Sequence, residues 1–81
     1  MSPTLLNRWE HGYDVRLFTK DHPPAHVHVF DGEKEAKIAL DPISALDNWG
    51  FNSRELKRIL ELIEEHIATL LAEWDRYHPI R

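Results

Sequence analysis

The chain has 81 residues, which is enough for one small domain and too few for two. Its 42% hydrophobic and 30% charged residues are typical of a folded globular protein and exclude a disordered or collagen-like chain. The net charge of −4 argues against nucleic-acid binding by bulk attraction, and the lack of cysteine excludes disulfides, thiol catalysis and thiolate zinc sites.

Three short segments alternate apolar and polar residues with the period of two that a half-buried strand shows. They cover residues 13–19, 25–30 and 36–40. Pro23-Pro24 separates the first two segments with a rigid turn, because proline fixes φ and removes an amide donor. Asp31-Gly32, a dipeptide favoured in tight hairpins, separates the last two. The pattern predicts an antiparallel meander of three strands.

A long helix is predicted for the C-terminal part of the chain. Residues 41–51 mix turn-forming and apolar types and are expected to be a partly buried connector, with at most one helical turn. Asn52 can cap the helix, with Glu55 at the third position completing a capping box. Apolar residues then recur at three- and four-residue spacing through 56–77, until Pro79. One continuous helix is therefore expected.

The expected fold is an α+β domain spanning residues 1–81, in which the three-stranded meander packs on one long C-terminal helix. Alternation directs Val15, Val27 and Ile38 toward that helix, and burial of each large apolar side chain contributes roughly 1.5 to 3 kcal/mol. The outward face would carry Arg16, Phe18, His26, His28, Phe30, Glu35 and Lys37. With a two-residue Asp31-Gly32 turn, His28 would lie opposite Glu35 and His26 opposite Lys37.

The predicted helix is longer than the predicted sheet. About 24 helical residues span about 36 Å, whereas a six-residue strand spans about 20 Å. Surplus apolar residues, among them Leu70, Leu71 and Trp74, would need another cover, so we expect a homodimer or a small protein partner. No apolar run approaches the roughly 20 residues of a membrane span, and the N-terminus lacks a signal-peptide hydrophobic region. A cytoplasmic protein without a membrane partner is the expectation.

Residues 21–28, Asp-His-Pro-Pro-Ala-His-Val-His, place three histidines and an aspartate close together in the sequence, and such residues can bind a metal or transfer protons. A His-x-His pair on a strand points both imidazoles to one face, about 7 Å apart at the Cα level. A metal set for zinc or another divalent ion would consist of His22, His26 and His28, with the carboxylate of Asp21 or Glu35 as a further ligand or as a hydrogen-bond partner of a ligand. The alternative is that these histidines are surface side chains that pair with Glu35 and Arg16 across neighbouring strands.

Together with Gly50-Phe51, the helix start at 52–56 and Trp74, the stretch 21–28 resembles the bacterial domain of unknown function 4160 family, whose pattern includes Asp-His-x-Pro-Pro-His-x-His. Many members have proline where this chain has Ala25. The resemblance implies a small bacterial protein without an established activity. It also implies that such a protein is often encoded beside a second small protein, in an arrangement like that of a toxin–antitoxin pair.

Two functions follow from these residues. The first is an interaction module of such a paired system, which would bind its partner through the histidine-bearing sheet face. Its contact residues would be Arg16, Phe18, Phe30 and Trp74, since aromatic residues and arginine dominate interface energetics. Nucleic acid is a less favoured partner because of the net charge.

The second function is a small hydrolase, either ribonuclease-like or metal-dependent. His26 or His28 would act as general acid and base near neutral pH. Arg16 or Lys37 would stabilise the negative charge of a phosphorane.

Overall fold

A computed structural model describes residues 4–6, 12–18, 20 and 22–78, with the backbone alone for 4–6. Within these residues the chain forms one five-stranded antiparallel sheet followed by two helices. The strands are β1 (Thr4–Leu6), β2 (Asp14–Arg16), β3 (His26–Asp31), β4 (Lys34–Leu40) and β5 (Ile43–Trp49). The helices are α1 (Ser53–Glu65) and α2 (Ile67–Tyr77). The α+β class is confirmed, but the predicted number of strands and the single helix are wrong.

The predicted three-stranded meander is present as β2, β3 and β4, which pair in sequence order. Strand β5 was wrongly predicted to be a connector. It pairs antiparallel with β4 after a turn that contains Asp41 and Pro42, and it forms one edge of the sheet. All of its side chains after Ile43 are exposed. A strand that is exposed on both faces has no alternation of burial, so its sequence lacks the period of two that reveals β2 and β3.

The turn between β3 and β4 is Gly32-Glu33, with Asp31 paired to Lys34, and not the predicted Asp31-Gly32. Gly32 has a φ of 62°, in the region that glycine enters without a steric penalty. A glycine at the first central position is typical of a two-residue type II′ hairpin turn, whose twist matches that of the strands. The hairpin was predicted, but its turn begins one residue later.

This later turn changes the register of the hairpin by two residues and keeps its parity. His28 lies opposite Lys37 and not Glu35, and His26 lies opposite Ala39 and not Lys37. Because a shift of two residues leaves every side chain on its own face, the predicted division between apolar and polar faces still holds.

The capping box at the start of α1 is confirmed. The Asn52 side chain accepts a hydrogen bond from the Glu55 amide at 2.8 Å, and the Glu55 carboxylate accepts one from the Asn52 amide at 3.0 Å. The helix ends at His66, whose φ of −113° and ψ of 17° are not helical, and α2 follows directly. The apolar spacing continues across this break, which is why it predicted one helix. No helix in the described ranges is long and apolar enough to cross a membrane.

The core joins the apolar face of the sheet to both helices. Its largest fully buried side chains are Val15, Leu17, Val27, Val29, Ile38, Leu40, Ile59, Ile63, Leu70 and Trp74. Leu70 and Trp74, which were predicted to need a partner, are thus covered within the chain, and Leu71 is partly covered. Helix α2 therefore packs in the same core as α1.

Candidate functional site

The sheet face that is opposite Val27 and Val29 carries the histidines of β3, and we call it the histidine face. Residues paired across neighbouring strands point to the same side, so the register defines rows on this face. One row runs from β2 to β5 through Arg16, His28, Lys37 and Asp47. It places an imidazole between two cations, with an acid at the end.

A second row lies beside the first and is partly aromatic. It runs through Asp14, Phe30, Glu35 and Trp49. Phe30 is half-buried, whereas the Trp49 side chain is 54% exposed. The histidine face therefore has an exposed indole at the β5 edge.

His26 lies on the histidine face but is not exposed, which contradicts the prediction of an outward-facing side chain. It is 3% exposed. Its Nδ1 donates a hydrogen bond to the Pro24 carbonyl oxygen at 2.7 Å, and its ring centre lies 5.3 Å from that of Trp74. Helix α2 supplies the tryptophan that covers this end of the sheet, a contact that alternation within the strand cannot indicate.

His28 is the more accessible histidine of the pair, with 14% of its side chain exposed. Its Nδ1 donates to the Glu35 carboxylate at 3.2 Å. The Phe18 ring meets it edge to face at 4.5 Å between ring centres, and the His26 ring lies 5.2 Å away. Neighbours from β3, from β4 and from the segment after β2 thus hold the His28 imidazole in place.

Arg16 and Lys37 lie on the strands at either side of His28. The Arg16 guanidinium lies 5.8 Å from the centre of the Phe30 ring. Its Nε is buried and has no hydrogen-bond partner. Among the described residues, no ion pair joins Arg16 or Lys37 to a carboxylate. The row therefore contains two cations whose charge is not neutralised by direct contact.

The predicted metal set does not form among the residues that the structure describes. Within that part of the chain, no three histidine, aspartate or glutamate side chains are grouped so that they could hold a metal ion. His22 is exposed in the turn before β3, while His26 and His28 are buried to different extents. Asp21, the fourth predicted ligand, lies outside the described residues.

A family model described as "Domain of unknown function (DUF4160)" matches residues 12–75. The chain belongs to this family. The match covers the whole stretch 21–28, all of β2 to β5, α1 and most of α2. No curated protein and no solved structure matches the chain. Membership in the DUF4160 family confirms the resemblance seen in the sequence and leaves the activity to be inferred from the site.

The structure of this DUF4160 chain also places the other predicted contact residues. Phe18 and Phe30 are half-buried on or beside the histidine face, as predicted, whereas Trp74 is fully buried and cannot contact a partner in this conformation. Sequence analysis missed Leu46 and Trp49, which are 43% and 54% exposed. Both were assigned to a partly buried connector. The signal that could have revealed them is the run 43–46, which has three apolar residues out of four and follows Pro42, as a short strand can.

Proposed function

We propose that the protein is an interaction module of a paired, toxin–antitoxin-like system, and that its partner binds to the histidine face and the adjoining edge of β5. The observation that carries this proposal is the exposed indole of Trp49, on the row that contains Phe30. Tryptophan is among the residues that most often dominate binding energy, because burial of its large ring removes much apolar area from water.

The position of Trp49 strengthens this reasoning. It ends a seven-residue edge strand, and an edge strand presents unpaired backbone donors and acceptors that another chain can use. Leu46 is exposed on the same strand. A partner that adds a strand here would gain backbone hydrogen bonds and bury both side chains.

The remainder of the histidine face has a composition that suits an interface. Phe18, Phe30 and Arg16 are half-buried, so a partner could complete their burial at a small cost in side-chain ordering. Arginine and aromatic residues are enriched in the centres of protein interfaces, while lysine and glutamate are depleted. Glu35 and Lys37 lie on β4, between β3 and β5, so a partner that covers Phe30 and Trp49 would also cover these two charges.

Co-expression with the protein encoded by the adjacent gene tests the proposal. Native mass spectrometry of the untagged proteins should detect a complex and give its stoichiometry. Trp49→Ala should weaken the complex by a factor of ten or more, since a central tryptophan contributes about 2 kcal/mol or more. Tyr77→Ala is the control, because Tyr77 is 38% exposed on α2 and not on the sheet. Equal loss in both variants, or no complex for the wild type, would contradict the proposal.

Growth of bacterial cells tests the paired character of the system. We expect that one of the two proteins, expressed alone, arrests growth and that co-expression restores it. Trp49→Ala should prevent the rescue by weakening the complex. If neither protein affects growth, the interaction can still exist, but the toxin–antitoxin-like assignment is wrong.

A hydrolase is the second candidate, and the position of His28 between Arg16 and Lys37 favours it. An imidazole beside two cations is a sufficient set for general acid–base catalysis on a phosphodiester. His26 is less suited to proton transfer with a substrate because it is buried. If catalysis is the function, His28→Ala should abolish growth arrest by this chain while the complex persists. His22→Ala, in the exposed turn, is the matched control.

A further inference from the structure

We propose that Arg16 and Lys37, on either side of His28, form a binding site for a single carboxylate that the protein partner supplies. We call this group of three residues the cation strip. The inference rests on the proposed interaction function and deepens it, because it names the chemistry of the partner: an acidic side chain presented against the histidine face.

Arg16 provides the first observation. Its Nε is a buried donor without an acceptor, although buried polar groups are almost always hydrogen-bonded in folded proteins. The guanidinium carbon lies 5.8 Å from the centre of the Phe30 ring, within the range of a cation–π interaction. Nε itself is closed to solvent, but the terminal amino groups of the guanidinium are not among the buried unpaired atoms, and a carboxylate can accept two parallel hydrogen bonds from an arginine.

Lys37 provides the second observation. The register places Lys37 opposite His28 on β4, and Arg16 opposite His28 on β2. The two cations are therefore separated by two strand spacings, or about 10 Å. Both have flexible side chains that can converge on one ligand above the imidazole. The Glu35 carboxylate accepts a hydrogen bond from the His28 imidazole, and no described ion pair joins it to either cation.

The acids that surround the strip limit the ligand to one carboxylate. Asp47 ends the same row, and Asp14 and Glu35 lie in the neighbouring row. A polyphosphate backbone that crossed the face would meet these carboxylates, and the whole chain has a net charge of −4. A single acidic side chain brings one negative charge to this face, whereas a polyphosphate backbone brings several, so the single side chain meets less repulsion from these carboxylates. We therefore assign the strip to an acidic peptide segment and not to nucleic acid.

Nuclear magnetic resonance of the ¹⁵N-labelled chain gives a direct measurement, because the Arg16 Nε–H group has its own signal. The probes are the capped peptide acetyl-Leu-Glu-Leu-amide and its glutamine counterpart. The glutamate peptide should shift the Arg16 Nε–H signal in a saturable way, and the glutamine peptide should not. Equal shifts with both peptides, or no shift with either, would overturn the proposal.

Variants identify the ligands. Arg16→Gln and Lys37→Gln should each weaken binding of the glutamate peptide by about tenfold, as expected for a lost charge-assisted hydrogen bond. Lys57→Gln, at an exposed position of α1, is the control and should leave binding unchanged. The same spectra report whether each variant is folded. Unchanged affinity in both strip variants would contradict the assignment.

Two further titrations separate the alternatives. Inorganic phosphate and a single-stranded oligoribonucleotide should bind more weakly than the glutamate peptide. Tighter binding of either would mean that the ligand of the strip is a phosphate and not a carboxylate.

Co-purification of the Arg16→Gln chain with the adjacent-gene protein distinguishes this proposal from the broader one. A complex that survives at full strength would refute the cation strip alone, whereas a wild-type chain that forms no complex would refute the interaction module.

Discussion

At the scale of single residues, Lys34 and Glu55 connect the beginning of β4 to the first turn of α1. Their side chains form an ion pair with 2.9 Å between Nζ and Oε2. The pKa of Glu55 is lowered by the hydrogen bond from the Asn52 backbone amide and then by the one from Lys34. The pKa of Lys34 is raised, chiefly by the same hydrogen bond with Glu55. One carboxylate thus both completes the helix cap and pairs with the sheet.

We therefore predict that Glu55→Gln lowers the thermal unfolding temperature in a pH-dependent way. A carboxyl group whose pKa is lower in the folded than in the unfolded state stabilises the fold at every pH above its ordinary pKa of 4.5. This stabilisation is lost as the pH falls through the folded-state pKa. Circular dichroism melts should give a clear difference from wild type at about pH 7 and a much smaller one at about pH 3. Glu61→Gln, exposed on α1, is the control. A difference that is constant with pH would be inconsistent with this explanation.

The two histidines of β3 should differ in their effect on stability. His26→Ala removes a buried ring that contacts Trp74 and hydrogen-bonds to the Pro24 carbonyl, so we expect a loss of about 2 kcal/mol in the free energy of unfolding. His28→Ala leaves the core unchanged and should cost less than about 1 kcal/mol. Urea denaturation of both variants measures this difference. Equal losses would mean that His26 does not support the packing of α2.

These residues also show how far a sequence pattern can define a site. Alternation was sufficient to place Arg16, His28 and Lys37 on one face, because that assignment depends only on parity. The pairing of His28 with Lys37 also depends on where the hairpin turn begins. A turn that begins one residue earlier pairs His28 with Glu35 instead. The burial of His26 depends on a helix about fifty residues later in the chain, and no local pattern contains that contact.

At the scale of elements, Gly50 joins β5 to α1 under a steric restriction. Its φ is 102°, and a Cβ at this position would lie 3.0 Å from Cγ of Lys34. Gly50→Ala should therefore destabilise the fold by about 1 to 3 kcal/mol. Gly32→Ala is the matched control, because its φ is 62° and no heavy atom would lie within 4 Å of the new Cβ. Chemical denaturation that ranks Gly32→Ala as the more harmful change would contradict this account.

The elements that sequence analysis predicted correctly are those with a buried face. Strands β2, β3 and β4 alternate because one side of each packs in the core, and α1 begins where the Asn52 cap specifies. Strand β5 was missed because solvent contacts both of its faces. The break at His66 was missed because α2 continues to bury residues at helical spacing after it. In both cases the missing information is tertiary, so periodicity within the segment could not supply it.

At the scale of the whole molecule, the side chains that are buried within one chain are no longer available for contact between copies of the chain. The sequence-based argument for a homodimer relied on Leu70, Leu71 and Trp74, but the first and last of these are fully buried within one chain. The exposed apolar side chains of β5, Leu46 and Trp49, are now the better candidates for a contact. An exposed edge strand of this kind can pair with an identical strand across a two-fold axis, which is a closed and symmetric arrangement.

We predict that self-association of the isolated chain, measured by sedimentation equilibrium over a range of concentrations, depends on β5. The wild type should exceed the monomer mass of 9.6 kDa as concentration rises. Trp49→Lys should return the mass to that of a monomer, because a charge on an edge strand opposes pairing with another edge. Tyr77→Lys places the same charge at an exposed aromatic position of α2 and should leave association unchanged. If both variants dissociate equally, the contact is not at β5, and a wild type that remains monomeric would leave the histidine face and β5 edge to a different protein.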